Sequence, residues 1–270
     1  MECPPPSKTM STPDQKNRDL KPPAAETACF GFHRVAASQK ARLVMQHFDT
    51  VAPRYDLANT LLSFGLHYLW KRTAVKMLGL KPGDRVLDVC GGTGDLARLA
   101  ARAVGAAGRV VLYDLNRAMM AAGRPGLARD PWAKDVLYVQ GDAERLTFAD
   151  ATFDAAMVGF GIRNLTHPET GLAEMHRVLK PGGKLMCLEF SRPVTPWFRW
   201  LYDLYSFYVM PWAGRIIVGS KQAYCYLPES IRTFPEAGEL SATLQSLGFS
   251  RVTCRLLTNG IAAIHLGVRE

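Results

Sequence analysis

Residues 87–95 read LDVCGGTGD, and no other stretch constrains the fold as strongly. An apolar run that enters a glycine cluster and leaves as a helix is the strand-turn-helix opening of a ligand-binding βα unit. Gly91, Gly92 and Gly94 permit a tight turn and a close approach of ligand to backbone. The flanking sequence continues the alternation: RVLDVC (85–90), RVVLYD (109–114), VLYVQ (136–140), FDAAMVGF (153–160) and KLMCLEF (184–190) read as strands. Helices are predicted from about Leu96 to Val104, near Ala118, and from Pro168 to Leu179. The last has Thr166 as its cap and Pro181-Gly182-Gly183 as its stop. Strands alternating with helices predict a parallel sheet covered on both faces. The end departs from this pattern. Pro235 to Leu247 reads as a helix stopped by Gly248, followed by FSRVTCRLL and GIAAIHLGV around Thr258-Asn259-Gly260. An Asn-Gly hairpin makes the last strand antiparallel.

The 270 residues are 48% hydrophobic and 21% charged, which excludes collagen-like, coiled-coil and wholly disordered chains. No uncharged apolar run reaches the ~18 residues of a membrane span, and no secretory signal opens the chain, so the cytoplasm is the expected location. The six cysteines lie too far apart in sequence for zinc-ribbon pairs; Cys90, Cys187 and Cys254, in apolar runs, are expected to be buried thiols. The net charge of +9 is scattered, with no basic stripe of the kind that binds nucleic acid. Residues 1–27 are rich in proline and charge and predict a disordered tail. The remainder, 28–270, reads as one domain. An N-terminal helical lid covers 28–80, with Val44, Phe48 and Val51 on one helix face and a break at Pro53. LHYLWKRTAVKML forms a second helix that ends at Gly79. A cofactor-binding core covers 81–192, an aromatic insertion 193–232, and a C-terminal helix with a strand hairpin 233–270.

Two ligand classes compete for the glycine loop. A pyrophosphate would face carboxylates at Asp88 and Asp95 on either side of the turn, which is unfavourable. S-adenosylmethionine has no phosphate and carries a sulfonium and an ammonium, so the same carboxylates favour it. Asp114 closes the second strand and can accept hydrogen bonds from both ribose hydroxyls, with Leu115 next to it. Asp142 follows the third strand, placed for an adenine amino group with Ala143 beside the ring; a turn or capping role fits it equally well. Gly159 ends the fourth strand, where backbone can approach the ligand.

Longer motifs add a resemblance. FGFHRV (30–35), VAPRYDLAN (51–59), SFGLHYLWKR (63–72), CGGTGD (90–95), GFGIRNLTHP (159–168), RVLKPGGKLMCLEFSRP (177–193), YDLYSFYVMP and YLPESIRTFP occur in this order. With them the chain, from about Phe30 to its end, resembles the C-methyltransferases of ubiquinone and menaquinone biosynthesis, the UbiE/MenG type. The resemblance implies a Rossmann-like α/β fold: a seven-stranded, mostly parallel sheet with an antiparallel last strand and helices on both faces. It implies S-adenosylmethionine as donor, no metal, and a polyprenyl hydroquinone as acceptor. It makes Thr93, Asp114, Asp142 with Ala143, and Gly159 the cofactor contacts, to which the reading of the loop and strand ends adds Asp88, Gly92, Gly94 and Leu115. Two of these depart from relatives that carry Asn in place of Asp142 and Ser in place of Gly159.

The chemistry assigns further residues. A ring carbon becomes nucleophilic when a neighbouring hydroxyl loses its proton. Arg163 and Asn164, after the fourth strand, are placed to stabilise the phenolate; a structural salt bridge is the alternative for Arg163. Tyr55 is a candidate to bond a ring oxygen and His67 a candidate base, against plain packing roles for both. Eight of the chain's aromatic residues fall in 197–212, where Trp197, Leu201, Leu204 and Tyr208 share one helix face and Arg199, Asp203 and Ser206 another. Tyr205 and Tyr208 are candidate acceptor contacts. The segment is read as a greasy entrance or a membrane-interface helix, with Arg215 and Lys221 available to anionic lipid, or else as packing on the sheet. The partners expected are the hydroquinone, a peripheral membrane contact at the inner face, and a homodimer or a quinone-synthesis complex, without nucleic acid. The competing functions are methylation of another phenol or lipid, and a scaffold that only binds S-adenosylmethionine.

Overall fold

A computed structural model describes residues 26–218 and 221–270, with side chains left out at 217–224. The tail expected over 1–27 lies outside the described residues except for Glu26 and Thr27, and Thr27 already belongs to a strand. A two-stranded antiparallel ribbon, β1 (Thr27–Phe30) and β2 (His33–Ala36), opens the fold. Its eight residues carry no alternation that sets them apart from the helix that follows, so this ribbon was not expected. Helix α1 (Ala37–Val51) halts before Pro53, and a single 3-10 turn at Ala52–Arg54 leads into α2 (Tyr55–Leu62). Proline has no N–H for the helix ladder, so the break falls where expected. After a tight turn comes α3 (Leu66–Leu78), closed by Gly79 at φ 65.

The sheet is then laid down in alternation: β3 (Arg85–Val89), α4 (Asp95–Val104), β4 (Arg109–Asp114), α5 (Arg117–Ala128), β5 (Leu137–Gln140), β6 (Phe153–Gly159), α6 (Pro168–Val178) and β7 (Leu179–Phe190). The helices α7 (Pro196–Leu204), α8 (Met210–Val218), α9 (Lys221–Thr233) and α10 (Ala237–Ser246) follow, then the hairpin β8 (Phe249–Leu257) and β9 (Ala262–Arg269). The strand order is β5-β4-β3-β6-β7-β9-β8. Only β9 runs against the rest, inserted between β7 and β8, which is the expected antiparallel last strand.

Strand alternation sorts the core into two layers. Val86, Leu112, Met157 and Met186 pack with Leu78, Ala97 and Ala100 on one face. Leu87, Val111, Ala156 and Leu185 pack with Leu172, Met175 and Leu244 on the other. A third, smaller cluster joins Val51, Ala58 and Leu62 of the N-terminal helices to Met210 of α8. It fastens the N-terminal helices to the aromatic segment.

Several local expectations are corrected. The cap of α6 is His167, not Thr166; the two orphan N–H groups of Thr166 and His167 both donate to Glu144 Oε1 instead. Cys187 is buried, but Cys254 is exposed, because β8 is the sheet's edge strand and its middle faces outward. Cys90 lies past the end of β3, at φ 54. The aromatic segment is not one helix: a π-helical turn at Tyr205–Val209 separates α7 from α8. Its apolar face does not pack on the sheet. Trp197, Leu201, Leu204 and Tyr208 are exposed, while Tyr202 and Ser206 turn inward. Arg215 is exposed, and the side chain of Lys221 lies outside the described residues.

Candidate active site

The glycine loop works by close packing. Gly94, at φ 86, caps α4 where an added Cβ would meet Leu112 and Leu127 at 2.9 Å. Gly123 of α5 lies so near the loop that a Cβ there would fall 2.0 Å from the Thr93 carbonyl. With Gly92 at φ 54, the turn at the carboxyl end of β3 folds toward the end of β4. There the Asp114 carboxylate accepts from Gly92 N (2.8 Å) and Asn116 N (2.7 Å). Burial raises the Asp114 pKa against these two bonds. Each carboxylate oxygen keeps a second lone pair for a ligand. Asp142 accepts from Glu144 N at 2.9 Å through Oδ1.

Gly92, Asp114, Leu115, Asp142, Ala143 and Gly159 all line one cavity of about 130 Å³, at the switch point of the sheet. The N-terminal helices add Ala41, Val44, Met45 and Phe48 of α1 and Tyr55 of α2 to its wall. One polar tie holds down each N-terminal helix: Asn116 Nδ2 to Asp49 Oδ1 of α1 (2.8 Å), Thr93 Oγ1 to Asp56 Oδ1 of α2 (2.8 Å), and Lys71 Nζ of α3 to Asp95 Oδ2 (2.7 Å).

Asp88, Thr93 and Gly94 do not line this cavity. Asp88 is fully buried beneath the loop, and neither oxygen makes a hydrogen bond of normal geometry. Burial pushes its carboxyl up to about 8, with the Ala97 backbone N–H acting the other way. Asp95 is engaged by Lys71. The two carboxylates that set sulfonium against pyrophosphate in the sequence therefore do not supply that contrast: one sits below the loop and the other is paired. The carboxylate residues that line the cavity are Asp114, Asp142 and Glu144, the last engaged by the Thr166 and His167 N–H groups.

A second cavity of about 440 Å³ adjoins the first, and Phe48, Tyr55 and Phe160 line both. Its walls are mainly apolar: Val51, Leu62, Phe64 and Trp70 from the N-terminal helices, Phe198, Leu201 and Tyr205 from the aromatic segment, Tyr226 from α9. Tyr205 donates its hydroxyl to Leu62 O (2.7 Å), so it braces the wall. Tyr208 is 73% exposed and lies outside the lining. The hairpin turn closes the far side, where Thr258 Oγ1 accepts from Trp70 Nε1 at 2.8 Å.

Arg163 enters this apolar space from a 3-10 turn after β6. Its Nη1 donates to Glu189 Oε1 (2.6 Å) and Phe160 O (2.5 Å), and Nε donates to Ser230 Oγ (3.3 Å). Nη2 makes no hydrogen bond within the described residues. Asn164 lines the smaller cavity and accepts from the Tyr226 hydroxyl at 2.9 Å. Two histidines line the larger cavity. His67 is buried; its Nε2 meets Thr60 Oγ1 at 3.3 Å, its Nδ1 has no partner, and burial lowers its pKa to about 4. His47 rests against the Tyr226 ring at 4.8 Å, and burial, then Arg163, lower its pKa to about 4.

The sequence reading missed Glu189, Tyr226, His47 and Asp56. Glu189 left a signal: a carboxylate at the end of the apolar run KLMCLEF needs a buried cation, and Arg163 was the one already singled out.

The ubiE/COQ5 methyltransferase family matches residues 34–269. This chain belongs to that family. It is 49% identical over 243 residues to the ubiquinone/menaquinone biosynthesis C-methyltransferase UbiE of Ectopseudomonas mendocina, covering 90% of this chain and 95% of that protein. The corresponding protein of Stutzerimonas stutzeri is 45% identical over 258 residues, covering 96% and 99%. Among solved structures, a SAM-dependent methyltransferase of Thermotoga maritima aligns with a TM-score of 0.59 at 19% identity, covering 84% of this chain and 100% of that one. The cyclase SpnF aligns with a TM-score of 0.62 at 17% identity, covering 85% and 96%. These two establish the fold; a methyltransferase and a cyclase on one architecture also show that fold alone does not fix a reaction. Among the described residues of this methyltransferase no group of His, Cys, Asp and Glu is arranged to hold a metal, and no helix is long and apolar enough to cross a membrane.

Proposed function

We propose that this methyltransferase adds a methyl group to a ring carbon of a reduced polyprenyl quinone, in ubiquinone or menaquinone biosynthesis. The observation that carries this reading is a guanidinium that lines an apolar cavity, with Nη2 held by no hydrogen bond among the described residues, next to a carboxylate-lined cleft. The cleft suits S-adenosylmethionine: Asp114 can bond ribose hydroxyls, Asp142 can accept from an adenine amino group, and Ala143 leaves room for the ring. When bound, that cofactor supplies an electrophilic methyl group. The chain's own residues do the rest. The larger cavity admits a ring and the start of an isoprenoid tail, and Phe48, Tyr55 and Phe160 form the wall where ring and donor meet. Arg163 offers Nη2 to a ring oxygen and stabilises the phenolate that makes the adjacent carbon nucleophilic, an electrostatic effect of about 3 kcal/mol in comparable sites. Tyr55, on the wall shared by the two cavities, bonds the second ring oxygen in this reading. The N-terminal helices exclude water from both cavities.

The exposed Trp197, Trp200, Tyr208 and Trp212 support a peripheral seat at a lipid surface, since an isoprenoid acceptor resides in the bilayer. The test is methyl transfer from labelled S-adenosylmethionine in detergent, offering demethylmenaquinol and a demethylated polyprenyl benzoquinol, each reduced and oxidised. Product from only the reduced forms supports phenolate chemistry. Cofactor binding without product from either would remove the reading.

A further inference from the structure

Glu189 sits at the carboxyl end of β7, inside the wall of the acceptor cavity, with its side chain 1% exposed. It grips Arg163 at both ends. Oε1 accepts from Arg163 Nη1 at 2.6 Å and from Phe190 N at 2.9 Å, while Oε2 faces the Arg163 backbone N at 3.4 Å. The Phe190 ring lies 5.2 Å from the guanidinium carbon. A buried ion pair is a poor source of stability, since well-packed apolar residues often do as well in its place. Its location therefore asks for another reason.

We propose that Glu189 is a positioning residue that aims the free edge of Arg163 into the cavity and tempers the positive charge a bound hydroxyl meets there. The proposal rests on the reading that Arg163 faces a phenolate. With Nη1 held by Glu189 and Phe160 O, and Nε by Ser230, Nη2 is the nitrogen left to point at a ligand. The carboxylate at 2.6 Å also offsets the guanidinium charge, so the corner is close to neutral when an uncharged quinol enters. The other titratable groups facing the pair are His47 on α1, Tyr202 on α7, Tyr226 on α9, and Cys90 and Cys187 on and beside the sheet. All are uncharged near neutral pH: burial holds His47 near 4, lifts Tyr226 to about 12, and raises Tyr202 and both thiols. The field in that corner is thus set by Arg163 and Glu189.

Two substitutions separate aim from charge. In Glu189→Gln the amide oxygen can keep both short bonds now made by Oε1, while the negative charge goes. The bound hydroxyl then ionises at lower pH, and the rising limb of kcat against pH moves down by about one unit. In Glu189→Ala the guanidinium loses its anchor, and kcat falls about 100-fold, as for loss of a preorganised donor. In the double variant Arg163→Ala/Glu189→Ala kcat is no lower than in Arg163→Ala alone, because the aim of an absent guanidinium cannot be lost twice. The measurement is kcat against pH with reduced quinone and saturating S-adenosylmethionine, beside thermal midpoints of each variant. A limb in Glu189→Gln that coincides with the wild type, whatever its thermal midpoint, would make Glu189 a structural residue and overturn the proposal. A further loss of kcat in the double variant would also overturn it, because Glu189 would then act without Arg163. Absence of product from the wild-type protein itself would overturn the underlying reading, and the proposal with it.

Discussion

The cofactor cleft and the acceptor cavity share the residues Phe48, Tyr55 and Phe160, yet they are built on opposite principles. The cleft is made from strand ends and one tight turn, so its polar groups are backbone N–H groups and two carboxylates fixed by the sheet. The cavity is made mainly from side chains of six helices and the turns beside them, and its few polar groups are braced by long-range partners such as Leu62 O and Ser230. A site on a sheet edge inherits its geometry from the ladder. A site between helices depends on every contact that holds those helices together. The two regions should therefore fail differently.

The largest effect is expected at Arg163. Arg163→Ala should lower kcat by 10²–10³-fold, the usual result of removing a preorganised donor, while cofactor affinity stays within about twofold. Labelled methyl transfer and calorimetric titration of S-adenosylmethionine read the two quantities. Equal losses in both would mean that cleft and cavity are not separable.

Asp114→Ala is the reciprocal change. A carboxylate that bonds both the loop and a ligand contributes about 1.5–3 kcal/mol, so cofactor affinity should fall roughly 10–100-fold. The KM for the reduced quinone should move little. A comparable rise in that KM would show that the loop also shapes the acceptor side.

A smaller effect tests the ties between the regions. Asp56 on α2 accepts from Thr93 Oγ1, and burial raises its pKa against that bond. Asp56→Ala should loosen the N-terminal helices and weaken cofactor and quinone binding alike, by about fivefold each, the worth of one net hydrogen bond of ~1 kcal/mol. Loss on the cofactor side alone would place Asp56 with the loop rather than with the lid.

The same contrast explains what was legible in the sequence. The strands from Arg85 to Gly159 were readable within a residue, because a buried parallel strand is a short apolar run between turn signals; β7 begins at Leu179, five residues before the expected Lys184, because its start runs through the Pro181-Gly182-Gly183 turn signal. The cleft followed directly, since Gly92, Asp114, Asp142 and Gly159 each end or follow a strand. The cavity was legible only in part. Arg163 and Tyr55 came from their motifs, but nothing local in KLMCLEF or YLPESIRTFP says that Glu189 and Tyr226 converge on them from 26 and 62 or more residues away. Asp88 misled for a related reason. Its neighbours in sequence are loop glycines, whereas its neighbours in space are the inner faces of β4 and α4. Period-2 alternation, with Val86 on the α4 face, already implied that Asp88 points the same way.

The smallest prediction uses that buried carboxyl against a buried imidazole. Asp88 keeps its proton to about 8 in the folded protein, while an unfolded carboxyl gives its proton up near 3.8. Unfolding in that window releases a proton, so this group's contribution to stability is full below pH 4 and is lost as pH rises toward 8. His67 has the opposite sign. Its folded pKa of about 4 lies below the unfolded 6.5, so unfolding takes up a proton. Its contribution is full above 6.5 and is lost as pH falls toward 4, with His47 adding in the same direction. The cofactor loop therefore governs the alkaline flank of the stability curve, and the acceptor cavity the acid flank. Asp88→Asn should flatten the decline in thermal midpoint between pH 6 and 8 by about 2–4 °C, and His67→Phe should flatten the decline between pH 6 and 4.5 by a similar amount. A curve for Asp88→Asn that runs parallel to the wild type from pH 6 to 8 would mean that the carboxyl finds a charge-stabilising partner under the loop, and the contrast between the two regions would then hold for catalysis but not for stability.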